Sequence, residues 1–600
     1  MNHYIVYKYL FVTLLLLSSC GVMAQNFGVT HTGRNTGQPQ YPLKEYHELE
    51  NPVPINFKLW NGIDGKHVLW GSIDERYKQE EPPRFLQAKS IDVTAWKGER
   101  VHAQFVAYGN KHIQSLKFEV SDLVSRQGTV IGQDRLLKGF VRYVMTDELN
   151  KDGKSGCSSR PDATMWDSTL VADVIDHLAT EVEVKAYNTQ AGWIRVWVPQ
   201  DISAGDYVGT VTVMDGNDVL DKLTLRLHVK NHVLPSPEDW TYHLDLWQNP
   251  YAVARYYQVE PWSDAHMEAM KPIMKLYQQA GGKVITASIM HKPWNGQTFD
   301  FFESMVTWIK KLDGTWSFDF AVFDKWVQFM MDMGVTKEIG CYSMVPWALS
   351  FQYFDQATNS FKYLHAEPGD AAYDEMWTAM LSTFAKHLRE KGWFNITHIA
   401  MDERSIDVML KTLKVIRKAD PEFKISMAGN LYDELVDELN DYCITMSQKW
   451  ADDVIEKRRK EGKITTFYTC CAEAYPNTFT FSAPAEAEWL GLYAVKSDLD
   501  GYLRWAFNSW VQEPLLDSRY ITWAAGDTYL VYPGARTSIR FERLVSGIQD
   551  YEKIKILRKE LKPTALKRLD KILNTFDEMM LPTISASTFV KKVKTEIDKY

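Results

Sequence analysis

The feature that most constrains this chain is a change of hydrophobic period at Leu234-Pro235-Ser236-Pro237-Glu238-Asp239, a connector whose prolines end regular structure. Before it, apolar and polar residues alternate in short runs at 101–106, 116–120, 193–198 and 223–229, with a glycine-punctuated run over 203–213. Period two specifies half-buried strands, and several in succession predict an antiparallel β-sandwich over residues 85–232. After the connector, strand-like runs alternate with helical stripes. The runs are His243–Trp247, Val284–Ile289, Glu338–Ser343, Ile396–Met401, Lys424–Ala428, Ile444–Ser447, Ile464–Thr469 and Tyr502–Trp510; Phe323, Trp326, Val327 and Met330 form one of the stripes. Eight such runs predict a (β/α)8 TIM-type barrel over residues 240–560, with an open doubly wound sheet as the alternative. Residues 25–84 read as an ordered but irregular lead-in, and residues 561–600 as a C-terminal helical segment.

Composition narrows the function classes. A chain that is 45% hydrophobic and 24% charged is globular, neither disordered nor multi-spanning. Its net charge of −9 offers no general basic surface to a phosphate backbone, so no nucleic-acid partner is expected. With 21 Trp, more than core packing usually requires, aromatic faces are available for stacking on sugar rings. Residues 1–24 read as an export signal whose apolar run, Leu10–Leu17, is too short to span a bilayer. Leu17-Ser18-Ser19-Cys20-Gly21 fits a bacterial lipoprotein site with Cys20 lipidated, and cleavage after Ala24 is the alternative. The expected location is the periplasm or outer membrane of a Gram-negative bacterium, with membrane contact only through the lipid anchor. The remaining cysteines, 157, 341, 443, 470 and 471, lack zinc spacing and indicate no disulfide framework. Asp147, Asn150, Asp152 and Gly153 do not match a calcium loop. No HExxH, GxSxG or strand-linked GxGxxG motif is present, and neither a metal nor a cofactor is expected.

Reacting groups in barrels sit where strands end, and one run carries carboxylates there: His398-Ile399-Ala400-Met401-Asp402-Glu403. Two acids at that place suit a helix N-terminus as well as chemistry. Other expected strand ends bring Asp245, Trp247, Tyr468, Trp505, Asn508, Trp510, Asp527 and Tyr529, a set of aromatic walls and hydrogen-bonding tips suited to a pyranose. Conventional glycosidases place two carboxyls on opposite sides of the anomeric carbon, about 5–5.5 Å apart for retention or about 6.5–9.5 Å for inversion. Consecutive residues do not easily straddle a ring that way. If both act, the attacking group comes from elsewhere, and a 2-acetamido carbonyl oxygen on the substrate is the available candidate. Glu403 would then protonate the leaving oxygen and later activate water, while Asp402 orients the acetamide N–H. Asp245 and Asp527 remain the first candidates for a separate nucleophile.

With this pair, Gly501-Tyr502-Leu503-Arg504-Trp505-Ala506-Phe507-Asn508-Ser509-Trp510, Gly526-Asp527-Thr528-Tyr529-Leu530-Val531-Tyr532-Pro533-Gly534, Arg540-Phe541-Glu542-Arg543 and Gly547-Ile548-Gln549-Asp550-Tyr551-Glu552, the sequence resembles glycoside hydrolase family 123. The resemblance implies a sandwich followed by a catalytic barrel. It also implies β-N-acetylgalactosaminidase activity by substrate-assisted retention, on a glycan or glycolipid ending in β-linked N-acetylgalactosamine, with the paired acids at Asp402 and Glu403. β-N-acetylglucosaminidase activity and a non-catalytic glycan-binding surface lipoprotein are the alternatives.

Overall fold

The computed structural model describes residues 46–147 and 166–600. The leader, Cys20, Cys157 and the calcium-like turn beyond Asp147 lie outside the described residues. Among the described residues no helix is long and apolar enough to cross a membrane.

The alternating runs before the connector form two facing sheets. One orders its strands Lys66–Trp70, Arg100–Gly109, Asn188–Trp197, Leu136–Thr146, Thr169–Asp176 and Thr537–Ser538; the other is built around Ser90–Lys97, Asp218–Val233, Gly205–Asp215 and Ile113–Val120. Their inward residues meet in a core where Phe105, Phe118 and Phe140 pack edge to face at 4.9 and 5.2 Å. Pairing is antiparallel except between Ser90–Lys97 and Asp218–Val233, which run parallel. Two strands of the first sheet come from elsewhere in the sequence. Lys66–Trp70 belongs to the expected lead-in, and Thr537–Ser538 follows the barrel strands and pairs with Val174 and Ile175.

That exchange brings buried charge to the junction of the two units. Asp173 of the sandwich accepts from Arg76 and Arg540, each at 2.9 Å, and from the Tyr532 hydroxyl at 2.6 Å. The guanidinium groups hold its carboxyl below the usual range against the cost of burial. Asp173→Ala leaves two buried cations without their carboxylate, so chemical denaturation is expected to show a loss of about 3–5 kcal/mol.

After the connector, eight parallel strands form the barrel: β1 (His243–Leu246), β2 (Val284–Ser288), β3 (Glu338–Tyr342), β4 (Thr397–Asp402), β5 (Lys424–Gly429), β6 (Asp441–Thr445), β7 (Ile464–Tyr468) and β8 (Gly501–Arg504). They order as β1-β8-β7-β6-β5-β4-β3-β2, and the ring is nearly closed by a bridge between Leu244 and Gly282. Helices cover most crossovers, but β5 and β6 are joined only by a short 3-10 turn at Asp433–Leu435. Helices Pro563–Leu573 and Ala586–Ile597 pack at the C-terminus.

Two expectations need correction. The run expected over Tyr502–Trp510 ends as a strand at Arg504, because Asn508 is held back across β1: it accepts from the Asn249 amide and donates to the Asn249 carbonyl, both at 2.9 Å. The sixth strand begins at Asp441 rather than Ile444. A further four-stranded sheet lies beside the barrel, built from Thr307–Lys310, Trp316–Asp319, Ser350–Asp355 and Ser360–His365, in the crossovers after β2 and β3.

The N-terminal end of the barrel is closed by two imidazole–carboxylate pairs, His243 with Asp441 at 3.1 Å and His398 with Glu338 at 3.0 Å. Burial opposes charge on His243, but Asp441 outweighs it and pushes the imidazole up to about 9. This pair should contribute stability that is complete below about pH 6.5 and lost as pH rises through about 9, and denaturation midpoints across that window measure it.

Candidate active site

At the other end of the barrel, β4 delivers Asp402 and Glu403 to a cavity of about 260 Å³. Successive residues of a strand point to opposite faces, so a straight continuation would send the two carboxylates apart. The backbone prevents this. Glu403 adopts a left-handed φ of +48° while its N–H still donates to the Ala428 carbonyl at 2.7 Å, and both side chains end on the cavity wall. Gly429, at the end of β5, permits the close approach, since a Cβ there would stand 3.2 Å from Glu403 Cα.

The two acids occupy different surroundings. Burial, then the charge of Glu403, pushes the Asp402 carboxyl up to about 7, against a hydrogen bond of 3.2 Å from the Trp347 indole. Glu403 is exposed to the cavity and accepts from the Tyr468 hydroxyl at 2.8 Å. Burial and Glu403 together push the Tyr468 phenol up, so it remains a donor. Tyr468→Phe removes the hydrogen bond that positions Glu403, and kcat is expected to fall about tenfold with little change in melting temperature.

Beside Asp402 lies an aromatic floor. Trp247 stacks on Trp294 at 4.7 Å, and Tyr342 packs against both, at 4.6 and 5.0 Å. Across the cavity, Trp505 and Trp523 meet edge to face at 5.6 Å, and Trp523 donates to the Gln297 carbonyl at 2.9 Å. Leu503, Cys470 and Cys471 complete the wall with Trp347 and Gln297. Cys470 is a free thiol pushed up by burial, whereas Cys471 is disulfide-bonded, which corrects the expectation of no disulfide.

Of the residues singled out in the sequence, Asp402, Glu403, Trp247, Tyr468 and Trp505 line the cavity. The others are buried around it. Asp245 lies beneath Trp247, accepts its indole N–H at 3.2 Å, and is pushed well up by burial. Asp527 is ion-paired with Arg504 and accepts from the Trp505 indole at 3.3 Å. Asn508 braces β1, Trp510 donates to the Val531 carbonyl at 2.8 Å, and Tyr529 packs on Tyr532 at 5.3 Å. Trp294, Gln297, Trp347 and Trp523 escaped the sequence reading because they sit in irregular loops, where no periodicity marks them. Among the described residues, Asp402 and Glu403 are the only carboxylates on the cavity wall.

Comparison with known proteins agrees with this architecture. A family profile described as the glycoside hydrolase 123 catalytic domain matches residues 247–557, and one described as the glycoside hydrolase 123 N-terminal domain matches residues 70–215. No curated protein matches the chain. Among solved structures, a family 123 glycoside hydrolase from Clostridium perfringens, described in terms of glycolipid glycan hydrolysis, is 26% identical with a TM-score of 0.81, over 89% of this chain and 99% of that one. A family 39 glycoside hydrolase from the gut symbiont Bacteroides cellulosilyticus is 10% identical with a TM-score of 0.32, over 62% of this chain and 76% of that one. With both of its domains matched and the barrel alone accounting for more than half its length, the chain belongs to glycoside hydrolase family 123.

Proposed function

We propose that this hydrolase removes terminal β-linked N-acetylgalactosamine from glycans or glycolipids by a retaining, substrate-assisted mechanism. The observation that carries the reading is the isolation of Asp402 and Glu403 as neighbouring acids on a wall with no third carboxylate among the described residues. Asp527 is committed to Arg504, and Asp245 lies under Trp247, so neither rival nucleophile reaches the cavity. An attacking atom supplied by the substrate removes the need for one.

The 2-acetamido carbonyl oxygen attacks the anomeric carbon while Glu403 gives its proton to the departing glycosidic oxygen. The product of this step is an oxazolinium ion. Asp402 accepts the acetamide N–H and offsets the positive charge, and Trp247, backed by Trp294 and Tyr342, gives the acetamide methyl an apolar wall. Asp402 holds a proton below about pH 7. An amide N–H donating to it favours the ionised form, and the displaced proton is then available to Glu403 at the leaving oxygen. Water deprotonated by Glu403 finally adds to the same face that the leaving group occupied, which retains configuration.

The galacto preference follows from the family resemblance, and the glycolipid class from the description of the Clostridium perfringens relative. Nitrophenyl N-acetyl-β-galactosaminide should be cleaved much faster than the gluco isomer, and the reverse order would refute the assignment. A galacto-configured thiazoline should inhibit competitively, while a 2-hydroxy analogue lacking the amide should not be turned over. Equal cleavage of that analogue would end the substrate-assisted reading. Export and lipidation at Cys20 rest on the sequence, and Cys20→Ala should move the protein from the membrane fraction to the soluble one.

A further inference from the structure

Inward side chains of neighbouring barrel strands stack in layers, and the layer nearest the N-terminal end is polar. β1 contributes His243, β3 Glu338, β4 His398 and β6 Asp441, and the next inward residue of β1 is Asp245. All five are more than nine-tenths buried. Branched apolar side chains ordinarily fill such layers. Carboxyls and imidazoles in their place need a reason, since buried charge is costly unless it is paired or bound to a metal.

These groups do not satisfy one another. His243 Nε2 lies 3.1 Å from Asp441 Oδ2 and His398 Nδ1 lies 3.0 Å from Glu338 Oε1, yet neither ring nitrogen is aligned for a hydrogen bond. Asp441 Oδ1 and Asp245 Oδ1 also lack a partner. Lys424, at the level of His398 on β5, forms no ion pair with them among the described residues. One donor atom from each of His243, Glu338 and Asp441 falls within 4.8 Å of the other two, so the three converge. Donors that crowd together without bonding one another fit a cation between them, because ligand bonds of about 2.0–2.1 Å set neighbouring donor atoms about 3.0–3.4 Å apart.

We propose that His243, Glu338 and Asp441 bind a divalent transition-metal ion, zinc in the first place, and that His398 completes the set beside Glu338. Mixed imidazole and carboxylate donors suit zinc, whereas calcium and magnesium take oxygen. The role is structural: the ion ties β1, β3, β4 and β6 across the barrel. His398 stands four residues before Asp402 on β4, about 13 Å along the strand, so the ion does not touch the reacting acids. The four ligand side chains keep 5–9% exposure, which gives the ion a way in from solvent. Binding releases to solvent the proton that His243 otherwise holds, and the pH dependence described above for its pair with Asp441 belongs to the metal-free chain. No linear motif announces the site, because each strand supplies a single ligand. The proposal does not depend on the glycosidase reading.

The test strips the full chain with dipicolinate and titrates it with zinc chloride alone. Calorimetry and elemental analysis should find one zinc per chain. The melting temperature should rise by about 2–4 °C at a 100-fold excess over Kd, with no comparable rise in calcium or magnesium chloride. Glu338→Gln and Asp441→Asn keep the size of each side chain and should raise Kd at least about 100-fold. His228→Ala, which removes the exposed imidazole between Asp92 and Asp206, should leave Kd unchanged. Anomalous scattering at the zinc edge from crystals of the reloaded wild-type chain should place the ion among His243, Glu338 and Asp441, and this measurement stands even if a variant fails to fold. Absence of stoichiometric binding, an unchanged Kd in folded variants, loss of binding in His228→Ala, an equal response to calcium or an anomalous peak elsewhere each overturns the site.

Discussion

Glu403→Gln is expected to lower kcat for an oligosaccharide substrate by about 1,000-fold, the middle of the range for loss of a single general acid and base. The substitution keeps the shape of the side chain, and its amide oxygen can still accept from Tyr468, so the cavity and its affinity for sugar should persist. The loss should depend on the leaving group. A dinitrophenyl glycoside departs without a proton, and its first step should be much less affected than that of a sugar alcohol. Steady-state rates across a series of leaving groups measure this, and an equal loss for all of them would show that Glu403 does not act on the departing oxygen. Retained binding with no hydrolysis of any substrate by the wild-type chain would instead favour the glycan-binding alternative.

Asp402→Asn carries the second large effect, with opposite signs for activity and stability. Activity should fall by about 100- to 1,000-fold, because the neutral amide no longer offsets the charge that develops on the acetamide. Stability should rise, but only at the alkaline side. The Asp402 carboxyl is pushed up from its ordinary 3.8 to about 7 in the folded chain, so the folded state binds that proton more tightly than the unfolded state does. Stability from this group is complete below about pH 4 and is lost as pH rises through about 7. Asparagine removes the penalty, and denaturation at pH 8 should show a gain of up to about 4 kcal/mol that largely disappears at pH 4. The same titration should make wild-type kcat/KM fall above about pH 7, where Asp402 gives up its proton. A denaturation difference that does not vary with pH would refute this account.

Much of the architecture was legible because burial imposes a period on the sequence. The alternation at 193–198 and the helical stripe at 323–330 each mark one buried face, and they appear as the strand Asn188–Trp197 and the helix Ala321–Asp332. The side sheet was missed for a physical reason. Its strands are only four to six residues long, and one face of Ser350–Asp355 and Ser360–His365 is half open, so neither shows the contrast that periodicity requires. Residue type misleads in the same way near the cavity. Trp505 lines it while Trp510, five residues later, is fully buried against Tyr256 and Tyr257.

The sequence by itself determined the two-unit organisation, the strand on which Asp402 and Glu403 stand, and the family that such a combination resembles. These are properties of local pattern and of short runs of residues. Only the tertiary structure decided which aromatics surround the acids, since Trp247, Trp347 and the pair Trp505 and Trp523 come from three separate loops, after β1, β3 and β8, that meet only when the barrel closes. It also decided that both carboxylates face one cavity. An extended strand would have turned them apart, and the left-handed turn at Glu403, accommodated by the bare backbone of Gly429 and fixed by Ala428 on the neighbouring strand, is what brings them together.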